Sequence, residues 1–417
     1  MNIIKIIVIL LVIFFLSPNY LLADTISKTQ NEDIPKEFKP LYNELEQQIS
    51  IAENKVSLLK QEKISSPLIS PSLYLVSSYF GPIEKDSKKW NELITTLDGF
   101  QRLGIKSVSF MISFPNLTIE VDKINALVDS YKRIIFEIKR RNMKVLIEHF
   151  VYPPITSTKD GEFISYIKNL NEPKKTFLKL KKEEIEIIVS EIKPDYLSII
   201  SEPETYNKFL GLKISATDYK EWLKEVLEEI YILDKLKNTK IGAGSGIWES
   251  DEYINSFLEV NKLDFIDIHF YPLKLESEDM ISKFLATIDK IKAKNSSKKI
   301  IISEFWLYKH SAYEGKGVYN ADAYGRNVYD FWQPLDIRFL NLINNIAKNK
   351  GIDVIAPYFS QYLFYNEKFN SSIKQKKWPM SMIEEWDKAI GNMKLNQLSK
   401  IGSFFRTLEE KNNNKID

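Results

Sequence analysis

Residues 107–150 read SVSFMISFPNLTIEVDKINALVDSYKRIIFEIKRRNMKVLIEHF, and this stretch decides the fold class. It opens with a short apolar run, Ser107–Ser113, and closes with another, Lys144–Phe150. Between them, Lys123 to Arg141 carries Ile124, Leu127, Val128, Tyr131, Ile134, Ile135 and Ile138 at helical spacing, one apolar stripe on a Lys/Glu-rich background. An apolar strand, an amphipathic helix and a second apolar strand form the unit of a parallel sheet covered by helices.

The same alternation extends in both directions. Further β-rich runs are Leu73–Tyr79, Tyr196–Ser201, Lys240–Ser245, Phe265–Tyr271, Lys299–Trp306 and Val354–Gln361, with Tyr219 to Leu236 as another helical stripe. Eight such units over this length close most simply into a (β/α)8 TIM barrel. The rival is a doubly wound open sheet. It would usually show a Gly-rich phosphate turn after the first strand, and Ser77-Ser78-Tyr79-Phe80-Gly81 is not one.

Composition narrows the chemistry. The 417 residues carry 58 Lys+Arg against 56 Asp+Glu, a net +2, which gives no reason to expect a nucleic-acid partner. There are no cysteines, which excludes disulfides, thiol nucleophiles and cysteine-held metals. His149, His269 and His310 are the only histidines and lie far apart in sequence. A multi-histidine metal centre would consume nearly all of them, so neither metal nor cofactor is expected.

Residues 1–23 read as a targeting segment. Lys5 precedes the apolar run Ile6–Leu16, Ser17-Pro18-Asn19 breaks it, and Ala23 offers a small residue for cleavage. A run this short favours a cleaved secretory signal over a membrane anchor and places the folded part outside the cytoplasm, secreted, periplasmic or in the cell envelope. Residues 24–66 hold a polar linker and then Phe38, Tyr42, Leu45, Ile49, Ala52, Val56 and Leu59 at alternating spacings of four and three. Such a seam suits either a coiled-coil stalk, with self-association through residues 36–63, or one amphipathic helix packed on the main domain. Ser65-Ser66-Pro67 and Ser70-Pro71 punctuate the chain, so the barrel is taken as residues 67–417.

A barrel keeps its active site at the C-terminal ends of its strands. Strand four is followed by Ser201-Glu202-Pro203-Glu204, strand six runs into Asp267-Ile268-His269-Phe270-Tyr271-Pro272, and strand seven ends Ser303-Glu304-Phe305-Trp306. On these strings the chain resembles the clan A type of retaining glycoside hydrolases, the cellulase-, mannanase- and galactanase-like superfamily of (β/α)8 barrels. The resemblance spans roughly Ser72 to Arg406 in architecture. It implies that Glu202 is the acid/base, Glu304 the nucleophile, and His269 and Tyr271 the strand-six pair lining the cleavage subsite. Retaining cleavage needs two carboxyl groups about 5–5.5 Å apart, one protonated and one ionised.

Simple alternation puts Asp267, His269 and Tyr271 on one face, and Ile302, Glu304 and Trp306 on one face. It also leaves His149 facing the site, with Glu148 pointing away, and Asp267 a layer deeper, orienting His269. Two departures from the family pattern stand out. Ser201 occupies the place of its Asn, and strand two, ending Phe110-Met111-Ile112-Ser113, offers no arginine. Asn171-Glu172-Pro173 matches the family string but has no strand before it, and is expected to start a helix with Asn171 as cap. The stretches after strands seven and eight are rich in aromatics, including Tyr308, Tyr313, Tyr319, Tyr324, Trp332, Tyr362, Tyr365, Trp378 and Trp386. Trp306 and Trp378 are the expected sugar-stacking rings, with Phe359 or Tyr358 on the floor.

The sequence-level expectation is therefore a secreted retaining hydrolase of a β-linked, or equivalently oriented, oligo- or polysaccharide. The substrate-binding set is His149, Ser201, His269, Tyr271, Trp306 and Trp378. A catalytically idle barrel that binds a glycan at the cell surface is the alternative that the Ser201 departure leaves open.

Overall fold

The structure is a computed structural model. It describes residues 34–59, 66–77, 81–118, 121–151, 167–169, 171–232, 239–272, 279–311, 325–370 and 380–413. The targeting segment, Trp378, Tyr313, Tyr319 and Tyr324 lie outside these residues.

Eight strands, β1 Leu68–Ile69, β2 Ser107–Phe114, β3 Lys144–Val151, β4 Tyr196–Ser198, β5 Lys240–Gly246, β6 Phe265–Phe270, β7 Lys299–Phe305 and β8 Val354–Pro357, form one sheet. Every ladder is parallel, and the order is β1-β8-β7-β6-β5-β4-β3-β2. A parallel bridge from Ser72 to Ser109 joins the two ends, so the barrel closes. In chain order the helices are α1 Lys39–Ser57, α2 Lys88–Arg102, α3 Val121–Arg140, α4 Pro173–Ile187, α5 Pro203–Leu210, α6 Ala216–Ile232, α7 Asp251–Leu258, α8 Ser282–Lys294, α9 Gln333–Lys350, α10 Met380–Lys394 and α11 Lys400–Asn413. Among the described residues no helix is long and apolar enough to cross a membrane.

The first strand departs from expectation. It is Leu68–Ile69, and Tyr74–Ser77, expected within strand one, is a single helical turn. Two prolines made this segment look like a linker, yet it pairs on both sides. Leu68 donates to Asp353, just before β8, and Ser70 and Ser72 donate to Ile355 and Pro357 of β8, while the Pro71 carbonyl accepts from Ser109 on β2. The amide that Pro71 lacks costs only one bond of the β2-facing ladder.

Two apolar layers result. Leu146, Tyr196, Phe265, Ile301, Val354 and Ala356, with Leu68, fill the barrel floor. The larger core lies between sheet and helices. Glycines on β5 make room inside: a Cβ at Gly242 would lie 2.1 Å from the Phe265 ring, and one at Gly244 would lie 1.9 Å from the Asp267 carbonyl oxygen. The space they open is filled by β6, which carries the polar residues of the next layer up.

α1 packs its apolar stripe against α9 of the same chain. Tyr42 stacks on Trp332 at 5.7 Å, and Arg338 of α9 holds Glu53 at 2.6 Å and Ser50 at 2.8 Å. The heptad-like seam is thus spent within the chain, leaving no apolar stripe on α1 for the expected self-association. The aromatics after strands seven and eight behave alike: Tyr308, Trp332, Tyr362 and Trp386 are buried packing groups.

Candidate active site

The ends of β3, β4, β6 and β7 bring ionisable side chains together at the barrel mouth, and how they do so differs from strand to strand. β4 has only three ladder residues and then bends, with Ile199 donating to Gly242 and Ile200 accepting from Gly244. Glu202 follows at the N-cap position of α5, with Pro203 at the first helical position. Its side chain does not cap the helix. Glu249, from the segment after β5, does so instead: one oxygen accepts from Thr205 N at 2.9 Å, the other from Ser245 Oγ at 2.7 Å and Gly246 N at 3.1 Å. A remote carboxylate at the helix N-terminus leaves Glu202 free for other contacts.

On β7 a bulge is decisive. Asp267 pairs with Ile301, but two residues later on β6 His269 pairs with Glu304, so β7 carries one extra residue. Ile301 lies in the barrel floor, whereas Ile302 packs outside against the helices. Strict alternation from Ile301 would turn Ser303 inward and Glu304 outward; the extra residue brings Glu304 back to the mouth. The expectation that Ile302 lies below Glu304 on one face is therefore corrected. The Ser303 amide in the bulge donates to Asp267 Oδ1 at 3.2 Å, and Ser198 Oγ donates to Asp267 Oδ2. Asp267 holds the bulge and β4. It stands 4.0 Å from His269, so it is not the group that orients the imidazole.

That group is Glu148. His269 Nε2 donates to Glu148 Oε2 at 2.7 Å, and Nδ1 donates to Glu202 Oε1 at 2.8 Å. Glu304 Oε2 lies 3.6 Å from the same Nδ1, and Tyr271 donates a short hydrogen bond to Glu304 Oε1. Phe150 lies parallel to the imidazole at 6.3 Å. Glu202 and Glu304 are 7% and 8% exposed, while His269 is fully enclosed, so the carboxyls reach the mouth over a buried imidazole.

The expected roles on β3 are reversed. Glu148 faces the site, and His149 faces the helices, where Nε2 donates to Glu184 of α4 at 2.7 Å. A parallel strand buried on both faces has Leu146 and Phe150 on one side and Val145, Ile147 and Val151 on the other, so apolar alternation could not choose between them. A lone carboxylate inside an apolar strand was the available signal for Glu148. For Glu249 none existed.

The remaining expected residues divide. Ser201 is fully buried, its hydroxyl 3.3 Å from that of Ser198, turned toward the Asp267 layer. Trp306 is 1% exposed, set against Phe359 at 5.8 Å and Tyr362 at 6.0 Å with the Lys309 ammonium 5.7 Å from its centroid. It is packed by protein rather than presenting an open stacking face. Pro173 does start α4, but Glu172 rather than Asn171 holds the N-cap position, exposed and paired with Lys175 at 3.2 Å. The literal Asn-Glu-Pro string therefore opens a helix rather than ending a strand.

The proton balance follows from this crowding. Burial opposes a charge on His269, but Glu148, Glu202 and Glu304 outweigh it and hold the imidazole protonated well above its usual range. Burial also raises Glu148, with His269 pulling it back. Glu304 is pushed up to about 8, by burial first and by the charges of Glu148 and Glu202, against His269 and the Tyr271 hydroxyl. Glu249 is raised to about 8, by burial and by the charge of Glu202. A buried set of carboxyls around one cation keeps extra protons near neutral pH.

Glu202, His269 and Glu304 each offer an atom within 4.8 Å of the others, as do Glu148, Asp267 and His269. Such triplets could also surround a cation. Here, however, each imidazole nitrogen already meets a carboxylate at hydrogen-bond distance, and a metal would have to displace those protons.

No family model matches the sequence, and no curated protein matches it. Solved structures similar to the chain include a β-glucosidase from Thermotoga maritima in complex with cyclophellitol, at 12% identity and a TM-score of 0.47 over 85% of this chain and 99% of that one. A structure described under two fungal β-1,4-galactanases gives 15% and 0.46 over 82% and 99%. A β-mannanase from the blue mussel Mytilus edulis gives 11% and 0.42 over 80% and 94%.

Proposed function

We propose that the protein is a retaining hydrolase of β-linked, or equivalently oriented, glycans, with Glu202 as acid/base and Glu304 as nucleophile. One observation carries this reading: two carboxyls from different strand tips converge on His269 Nδ1 at 2.8 and 3.6 Å, with an oxygen of each within 4.8 Å of the other. So close an approach supports double displacement over inversion, which leaves about 6.5–9.5 Å between the carboxyls for a water.

The roles follow from the neighbours. Tyr271 donates to Glu304, which favours the anion needed for attack on the anomeric carbon. Glu202 keeps its second oxygen free of hydrogen bonds among the described residues, available to the leaving oxygen. His269, cationic between Glu148 and Glu202, supplies a proton beside the acid and balances charge as the nucleophile is consumed. Glu202 protonates the leaving oxygen while Glu304 forms the glycosyl ester. Glu202 then takes a proton from water, which cleaves that ester.

A 2-deoxy-2-fluoro glycoside with an activated leaving group tests this. Incubation should leave one sugar on the peptide containing Ser303-Glu304-Phe305. An adduct on Glu148 or Glu249 would reassign the nucleophile, and no adduct across a panel of sugars would leave the idle glycan-binding barrel. Export of the chain, expected from residues 1–23, is part of the same proposal, and N-terminal sequencing of the mature protein checks it.

A further inference from the structure

Behind β3 lies a second set of buried ionisable groups that hydrolysis does not use. α4 reads PKKTFLKLKKEEIEI, and its buried face is Phe177, Lys181, Glu184 and Ile185, so a lysine and a glutamate occupy core positions of the stripe. Lys181, Glu184 and His149 are each 0% exposed. Burying a charge is costly unless every bond it can make is made. Lys181 Nζ donates to the His149 carbonyl at 2.8 Å, lies 3.3 Å from His149 Nδ1, and sits 5.3 Å from the Tyr206 ring centroid. Glu184 accepts from His149 Nε2 at 2.7 Å and from Leu117 N and Thr118 Oγ1, each at 2.8 Å. His149 links the two as a neutral ring, while burial pushes Glu184 up to about 8 and Lys181 down to about 7, each pulled back toward its charged form by the other. Burial and Lys181 both keep that imidazole well below its ordinary range.

The placement of the ammonium is specific. β4 pairs with β3 only from Leu146 through Glu148, so the ladder ends one residue short of His149. Lys181 donates to the carbonyl just beyond that end. It also faces the ring of Tyr206, whose hydroxyl accepts from Ser201 N at 3.2 Å. His149 follows Glu148 and Ser201 precedes Glu202, so Lys181 bonds the neighbour of one carboxylate that grips His269 directly and reaches the neighbour of the other through the Tyr206 ring. With the donors and acceptors of this cluster committed to one another, it has nothing to offer a ligand.

We propose that Lys181 is a positioning residue: it clamps the tips of β3 and β4 and so sets the spacing of Glu148 and Glu202 on either side of His269. As a statement about catalysis this rests on the two-carboxyl reading above; as a statement about His269 it does not.

The test uses the full chain with Lys181→Met combined with Glu184→Gln, which removes both charges and leaves no unpaired ion. The three histidines make ¹⁵N-histidine spectra readable. In the parent, His269 should show two ring N–H signals persisting well above pH 6.5, the usual imidazole value. Glu148, Glu202, Glu304 and Asp267 face that ring. In the double variant its titration should fall toward that value and its N–H signals should exchange faster. On glycosides with poor leaving groups kcat should drop about 10²-fold, the effect of misplacement on the order of 1 Å, with KM nearly unchanged. Tyr206→Phe, which keeps the ring under the ammonium, is the second variant and should show the same split at smaller amplitude. A folded double variant with unaltered His269 titration and unaltered kcat overturns the proposal, and wild-type kcat in Tyr206→Phe overturns its strand-four half. If the parent cleaves no glycoside, the hydrolytic reading fails and the His269 titration still decides the positioning.

Discussion

His269 and His149 are both fully buried, and each meets a carboxylate at 2.7 Å, yet they end in opposite protonation states. His269 stands inside the barrel between Glu148 and Glu202, and two acceptors require two donated protons, so it is a cation. His149 stands outside, between Glu184 and Lys181, and one acceptor plus one donor require a neutral ring. Burial is equal, so the neighbours decide. The inner set has more carboxyls than cations and carries surplus protons at a mouth. The outer set is balanced and closed. Surplus is what a reaction can spend; balance is what holds a scaffold.

The sharpest way to break this contrast is to remove matching carboxyls. Glu304→Ala should lower turnover by on the order of 10⁴-fold or more while the protein stays folded, because the change relieves charge crowding. Initial rates on an aryl glycoside, with circular dichroism as control, check it. Were the rate to survive, the inner cluster would be as structural as the outer one.

Glu202→Gln should come next. A loss of about 10²–10⁴-fold is expected on poor leaving groups, little on activated aryl glycosides, and added azide should restore turnover with retained configuration. Equal losses on every substrate without rescue would take the acid/base role from Glu202.

Changing pH tests the same surplus. The free protein should gain kcat/KM as pH rises toward about 8, where Glu304 loses its proton and becomes the attacking anion. Stability should move the opposite way. A carboxyl whose folded value is raised from 4.5 to about 8 contributes fully below pH 4.5, and its contribution falls as pH climbs through 8. The decline is up to about 1.4 kcal/mol per pH unit for one such group. Glu304→Gln should flatten the Tm–pH curve across that window; an unchanged curve would mean that Glu304 titrates normally.

The smallest effect on activity belongs to a region apart from both clusters. Tyr42→Ala removes a ring stacked on Trp332 and should cost roughly 3 kcal/mol of stability with kcat unchanged below the melting range. Thermal unfolding followed by rates at low temperature separates the two, and a large fall in kcat would link α1 to the mouth.

Much of the fold was legible along the chain because burial repeats. The stripe of Lys123–Arg141 has a period that only a helix satisfies, and the apolar runs that bracket it are too short for anything but strands. Strand one escaped this reading because Pro67 and Pro71 imitate a linker, and a barrel strand with two ladder residues carries no periodic signal. The seam on α1 was visible, but its partner was not: a heptad stripe fits a second copy as well as it fits α9, and only contact chooses.

By itself, the sequence determined which residue types reach the C-terminal ends of the strands: Glu202, His269, Tyr271 and Glu304 are legible there because strand ends are local properties. Tertiary structure alone decided which way they face. The β7 bulge that turns Glu304 inward is a mismatch between β7 and its neighbours, absent from either strand alone. The inward choice of Glu148 over His149 depends on registering β3 in a sheet buried on both faces, where each alternation is equally apolar. Side-chain direction on a strand has period two, so one residue of register reverses every assignment, and register is set between strands rather than along them.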